Sequence, residues 1–191
     1  MSTPYDIITI PDPVLKQEAV PVETVSPDVQ KQLDRMRVTL EDAGGIGLAA
    51  NQVSILNRVI IVDVPDGMWQ FGEDKNGVKT IERGPEADSD TRNPLFMINP
   101  EIVWESEEKS VYEEGCLSIP GQYAHIIRPA HVKVKFIDYH GKEQEIDSHG
   151  LHSHCVQHEI DHLNGKLFID YLSSLKRNMI LKKFKKQNKP L

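Results

Sequence analysis

His158-Glu159-Ile160-Asp161-His162 has the spacing H-E-x-x-H. In a helix, residues four apart share a face, so both imidazoles could bind one metal ion. Glu159, beside the first of them, would reach a water on that ion. The ion polarises the water and the carboxylate takes its proton, giving a nucleophile at neutral pH. The alternative is two surface histidines that merely share a face.

A catalytic site of this type takes a third protein ligand, and the origin of that ligand decides the class. The pattern H-E-x-x-H-x-x-G-x-x-H holds through Gly165 and then fails at Phe168. No glutamate follows Glu159, which removes a downstream glutamate ligand. Asp170 stays open downstream with little else to recommend it. Cys155 lies seven residues before His162, about 10 Å along a helix. One ion does not easily span that length, so Cys155 is expected to be a packed core thiol. Cys116 is the better candidate. It sits in Glu114-Gly115-Cys116-Leu117-Ser118, after an expected strand. A thiolate ligand would favour zinc or ferrous iron over magnesium. A third segment, Gly45-Ile46-Gly47-Leu48-Ala49-Ala50-Asn51-Gln52, leaves its backbone bare, as a peptide lying alongside would require. Gln52 is an uncharged donor suited to a developing oxyanion.

G-I-G-L-A-A-N-Q at 45–52, E-G-C-L-S at 114–118 and Q-H-E-I-D-H at 157–162 together resemble the three signature motifs of the peptide deformylases. The resemblance implies a metallohydrolase that removes the formyl group from the N-terminal formyl-methionine of nascent chains and releases formate. It implies one divalent ion on Cys116, His158 and His162, natively ferrous, with zinc, nickel or cobalt as substitutes. Glu159 is then the general base and acid. Gln52 and the Leu117 N–H hold the formyl oxygen. The backbone at Ile46 and Gly47 pairs with the substrate peptide, and the methionine side chain enters a pocket near Ile46, Cys155 and His158. Glu114 supports the site from behind, with Arg128 as its partner. Two departures stand out. The stretch between the first two motifs is long and could reshape the substrate rim. His149, His152 and His154 occupy a helix start that is usually apolar. His154 could alter the side-chain pocket, but these histidines are expected to face solvent, as are His125, His131 and His140.

Elements must position these groups. Ser26-Pro27 is an N-cap followed by proline, and Val29, Leu33, Met36 and Leu40 recur at helical spacing toward Gly44-Gly45. Asp12 to Leu15 reads as a turn. Val59–Val62 and Phe96–Val103 read as strands, and residues 65–94 as a long loop or exposed hairpin. Val132, Val134, Phe136 and Ile146 alternate around Asp138–Lys142 as a hairpin. Leu151–Leu163 is expected to be the helix that carries H-E-x-x-H, stopped by Asn164-Gly165. A last helix is expected from about Ser173, with Leu175, Met179 and then Leu181 or Phe184 facing inward. The expected fold is α+β: mixed or antiparallel sheets around a central metal-binding helix, with a C-terminal helix. All 191 residues are expected to form one domain, with a basic tail at about 173–191.

The composition, 39 % apolar and 27 % charged, is that of a globular chain. No run approaches the roughly 20 apolar residues of a membrane helix. The first residues lack a basic or apolar leader, and two cysteines without an export signal suggest free thiols in a reducing cytosol. The net charge is −7, but residues 176–191 hold seven basic residues and no acidic one. That leaves 15 basic against 29 acidic residues elsewhere, a net −14. A polyanion is the expected partner of the tail alone. The resemblance of this tail to the basic C-terminal helix of bacterial deformylases implies the ribosome near its tunnel exit; no DNA or membrane partner and a monomer are expected. Two rival readings are a zinc endopeptidase, which would cut internal peptide bonds, and a non-enzymatic relative that binds nascent chains. The intact Gln52, Cys116, Glu159 and histidine pair speak against the second.

Overall fold

A computed structural model of the chain describes residues 3–65, 67–84 and 92–187. Helix α1 (Pro27–Ala43) begins where Ser26 Oγ accepts from the Val29 N–H at 3.3 Å, and it ends at Gly44 in the left-handed conformation. Its buried face is Val29, Leu33, Met36 and Leu40. Five strands form one antiparallel sheet: β1 (Gly47–Ala49), β2 (Val59–Val62), β5 (Leu95–Glu105), β8 (His131–Ile137) and β9 (Glu143–His149), in that spatial order. Four more form the second sheet: β3 (Trp69–Glu73), β4 (Lys79–Arg83), β6 (Lys109–Gly115) and β7 (Tyr123–Pro129). Its β4–β6 pairing is parallel and the others are antiparallel.

Between the sheets runs α2 (Gly150–Leu163). It contacts β1, β2, β8 and β9 of one sheet and β3, β6 and β7 of the other. Nearly every side chain on α2 is buried, as expected of a helix enclosed on all sides. Its outward polar face has therefore become an inward one, and each polar group on it needs a partner. Gln157 shows how: its Nε2 donates to the Pro129 and Ser153 carbonyls, both at 3.0 Å.

The 65–94 segment contains the β3–β4 hairpin. None of its described residues lines the cleft treated below. Instead Trp69 packs against Gly150 at the start of α2, where φ is +52°. The hairpin thus braces the start of α2, and Arg92 at the end of the segment donates to the Gly45 carbonyl at 3.2 Å. Residues 66 and 85–91 lie outside the described residues.

Helix α3 (Ser174–Gln187) departs from expectation on one face. Leu175 and Met179 are 71 % and 63 % exposed. Ile180, Leu181 and Phe184 turn inward instead, onto a cluster with Ile119, Ile126, Leu167, Phe168 and Ile169. That cluster lies on another side of α3, so Leu175 and Met179 have nothing to bury against. Lys189 lies outside the described residues.

Candidate active site

A cavity of about 360 Å³ opens between the two sheets, with α2 as its floor. One wall is the segment Gly45–Gly47 with Gln52; the other is the end of β6 and the turn after it, from Tyr112 to Tyr123. Leu151, His154, Cys155, His158 and Glu159 of α2 complete it. At its inner end Cys116 Sγ, a nitrogen of His158 and a nitrogen of His162 all lie within 4.8 Å of one another. Cys116 Sγ is 3.2 Å from His162 Nε2. A tetrahedral ion with bonds of about 2.3 Å to sulfur and 2.0–2.1 Å to nitrogen sets such ligand atoms about 3.5 Å apart. The donor set therefore fits a single zinc- or iron-class ion. Helical spacing brings the two histidines together, and the turn that ends β6 delivers the thiol.

Glu114 fixes the orientation of His158. Its Oε2 meets His158 Nδ1 at 2.9 Å, which leaves Nε2 of that ring for the ion. Arg128 donates to both oxygens of Glu114, at 2.5 and 3.0 Å, and also to Asp161 Oδ2 at 2.7 Å. Burial opposes ionisation of Glu114. The hydrogen bonds from His154, His158 and Arg128 outweigh it and hold the carboxyl well below its usual range. A buried carboxylate with this many donors stays charged.

Glu159 has the opposite surroundings. Burial pushes its carboxyl up to about 7, and its Oε2 has no hydrogen-bond partner among the described residues. Glu159 lines the cavity, so its carboxylate is placed to take a proton there. Gly47 lies directly over it: a Cβ there would strike the Glu159 carboxylate and come within 2.7 Å of Cys155 Sγ. Only glycine lets the backbone approach so closely. Gln52 is fixed at both ends of its amide. Its Oε1 accepts from the Ala49 N–H at 2.9 Å, which turns Nε2 toward Ser118 Oγ, at 3.2 Å, and Cys116 Sγ, at 3.6 Å.

Every residue singled out from the sequence, Ile46, Gly47, Gln52, Glu114, Cys116, Leu117, Arg128, Cys155, His158, Glu159 and His162, lies in or directly behind this cavity. Cys155 is buried, with its thiol pushed well up by burial, and donates to the Ile46 carbonyl at 3.3 Å. Asp170 is not near the ion site. It pairs with Lys16 and accepts from the Leu167 N–H at 2.8 Å.

His154 is a correction. Expected at the surface, it is 1 % exposed. Its Nδ1 lies 3.2 Å from Glu114 Oε1 and its Nε2 3.0 Å from Ser110 Oγ. The signal was available: His154, His158 and His162 step by four along one face of α2. His152 is also mostly covered, with Nδ1 2.6 Å from Ser148 Oγ, whereas His125 and His140 are exposed as expected. Ser118 and Asp161, which complete the hydrogen bonding, lie inside the quoted motifs but have no role in the sequence reading, and Ser110 carried no sequence signal.

The sequence model of polypeptide deformylase matches residues 4–178. The peptide deformylase of Rhizobium meliloti is 47 % identical over 183 residues, covering 96 % of this chain and 93 % of the relative. That of a Bradyrhizobium species is 48 % identical over 185 residues, covering 96 % and 95 %. Among solved structures, the peptide deformylase of Ehrlichia chaffeensis in complex with actinonin is similar at a TM-score of 0.84 and 36 % identity, covering 99 % of this chain and all of that one. A Met-Ala-Ser-bound deformylase of Acinetobacter baumannii is similar at a TM-score of 0.74 and 33 % identity, covering 90 % of this chain and all of that one. With the motifs in one cavity and near-complete coverage at such identities, this chain belongs to the polypeptide deformylase family.

Proposed function

We propose that the chain performs its family's reaction, hydrolysis of the N-formyl group of formyl-methionine on nascent polypeptides, with one divalent ion held by Cys116, His158 and His162. The observation that carries this is the convergence of those three ligand atoms within 4.8 Å beside a buried, unpartnered Glu159 oxygen. When bound, the ion supplies Lewis-acid polarisation of water and of the formyl oxygen. The thiolate makes the donor set soft, which suits ferrous iron natively and zinc, nickel or cobalt as substitutes.

The protein's own groups do the rest. Water adds to the formyl carbon, the C–N bond breaks, and formate and a free amine result. Glu159 takes the proton of the attacking water and passes it to the departing nitrogen. Gln52 Nε2 and the Leu117 N–H receive the formyl oxygen as it gains negative charge. Glu114, with Arg128 behind it, keeps His158 in the ligating orientation. The substrate backbone follows Ile46 and Gly47. The edge position of β1 in its sheet supports this, since the outer side of an edge strand is open to an added strand. The methionine side chain occupies the cavity beside Ile46, Cys155 and His158.

The chain works as one domain, as a monomer and in the cytoplasm, and α3 attaches it to the ribosome. Exposed Lys182, Lys183, Lys185 and Lys186, which form no ion pair among the described residues, support that last part. Among the described residues no helix is long and apolar enough to cross a membrane.

Anaerobically purified protein is assayed for bound metal and for formate release from formyl-Met-Ala-Ser. The expected result is one ion per chain, mostly iron, and rapid formate release with internal peptide bonds untouched. Cleavage of internal bonds without formate would support the endopeptidase reading instead.

A further inference from the structure

A second group of metal-ligating side chains lies outside the cleft, on the solvent face of the five-stranded sheet. His131 of β8 faces His149 of β9 directly across the ladder, and Asp147 precedes His149 by two residues and so shares its face. One ligand atom from each of the three lies within 4.8 Å of the other two. His131 Nε2 contacts Asp147 Oδ1, and the His131 and His149 rings stack with centroids 3.9 Å apart. The Trp104 ring meets His131 edge-on at 5.0 Å, which restricts its rotation. Because β9 is the edge strand, the group is open to solvent: Asp147 is half exposed and His131 a quarter.

We propose that His131, Asp147 and His149 form a surface site for a borderline divalent transition ion, of the zinc and nickel class, separate from the catalytic centre. Two imidazoles and one carboxylate suit such an ion, with water filling the remaining positions. Calcium and magnesium require several oxygen ligands and find a single carboxylate here. Lys133 is the unfavourable charge nearby, being the ladder partner of Asp147. Its Nζ is drawn off over the Trp104 ring, 6.0 Å from the centroid. The position has a structural consequence. His149 immediately precedes α2, and the Gly150 N–H donates to the Ala130 carbonyl at 3.0 Å. An ion here ties β8 to the start of the helix that carries His158 and His162.

The test counts zinc on the untagged full chain, loaded first at the catalytic site. Equilibrium dialysis at micromolar free zinc is followed by metal analysis. His149 makes no side-chain capping bond to α2, so His149→Gln leaves the helix start intact. Wild type is expected to bind one more zinc per chain than the His131→Gln/His149→Gln variant. Cys116→Ala is expected to lose one equivalent and keep this one, which makes the result independent of the catalytic assignment. Equal zinc on the parent and the double variant would overturn the site. If the double variant misfolds by circular dichroism, Asp147→Asn serves alone: at least a tenfold loss of affinity for the extra zinc is expected, and unchanged affinity overturns the site.

Discussion

Four side chains at the inner end of the cleft differ in what their loss removes. On the proposed assignment, Cys116, His158 and His162 with one water fill the four positions of the ion, with none to spare. Alanine at any one of them should abolish metal at the catalytic site, while Cys155→Ala, which loses only a bond to a carbonyl, should keep it. Glu159→Ala should keep the metal yet lose turnover by ~10²–10⁴-fold, the range for a missing acid–base group. Metal analysis and formate release on the same samples separate the two behaviours. Near-normal turnover of the Glu159 variant would mean that another group moves the proton. His154 tests the support behind the ligands. Its replacement by leucine leaves Ser110 Oγ buried without its partner and takes one donor from Glu114. Leaving a buried hydroxyl unpaired costs about 1–3 kcal/mol. Glu114 retains Arg128 and His158, so metal content should not change. Urea unfolding that shows no loss, or metal analysis that shows depletion, would contradict this. The histidine pair was legible from its spacing, and Cys116 joined it through the motif resemblance rather than through spacing. His154 continues that four-residue spacing but reads as solvated, because nothing in the sequence shows the second sheet that covers it.

The elements hold these groups through a few unusual junctions, and the one before α2 is the most demanding. Gly150 takes φ +52°, and any side chain there would run into the Trp69 ring. Gly150→Ala should therefore destabilise the fold by about 1–3 kcal/mol through backbone strain, and by more because of the clash. In a Trp69→Ala background the clash disappears and only the strain remains. The two changes should couple in a double-mutant cycle, with Gly150→Ala costing less when Trp69 is absent. Additive losses would show that the hairpin does not brace the helix. The strands and helices themselves could be read from the sequence wherever local chemistry decides them. Ser26-Pro27 and Gly44 bracket α1, and alternation around Asp138–Lys142 sets the β8–β9 hairpin. The parallel β4–β6 contact could not be read, since it joins segments far apart in the chain. The buried face of α3 was misread for a geometric reason. At about 100° per residue, Leu175 and Met179 lie near one another, and Ile180, Leu181 and Phe184 lie roughly 140–240° away. The helix thus carries two apolar stripes. Which one is buried depends on where the rest of the protein lies.

At the scale of the whole molecule the chain is polarised, with an acidic body of net −14 and a basic C-terminal stretch of seven positive charges. Phe184 anchors α3 to the body, 5 % exposed, while the lysines on either side of it point to solvent. The helix is thus held in place with its charge turned outward, beside exposed Leu175 and Met179. If this face meets ribosomal RNA, its affinity comes from lysines replacing the counterions of phosphates. Such binding is independent of sequence and weakens steeply between about 50 and 200 mM salt. Replacing Lys182, Lys183, Lys185 and Lys186 with glutamine removes the charge and spares Phe184. That variant should hydrolyse a formylated tripeptide at the wild-type rate, since none of the four lines the cleft. It should pellet with ribosomes far less than the parent, and the parent's own co-sedimentation should fade as salt rises. Equal pelleting of the two would reduce the lysines to a solvated face. Loss of hydrolysis in the variant would instead mean that α3 supports the catalytic cavity through the cluster around Phe168 and Ile169.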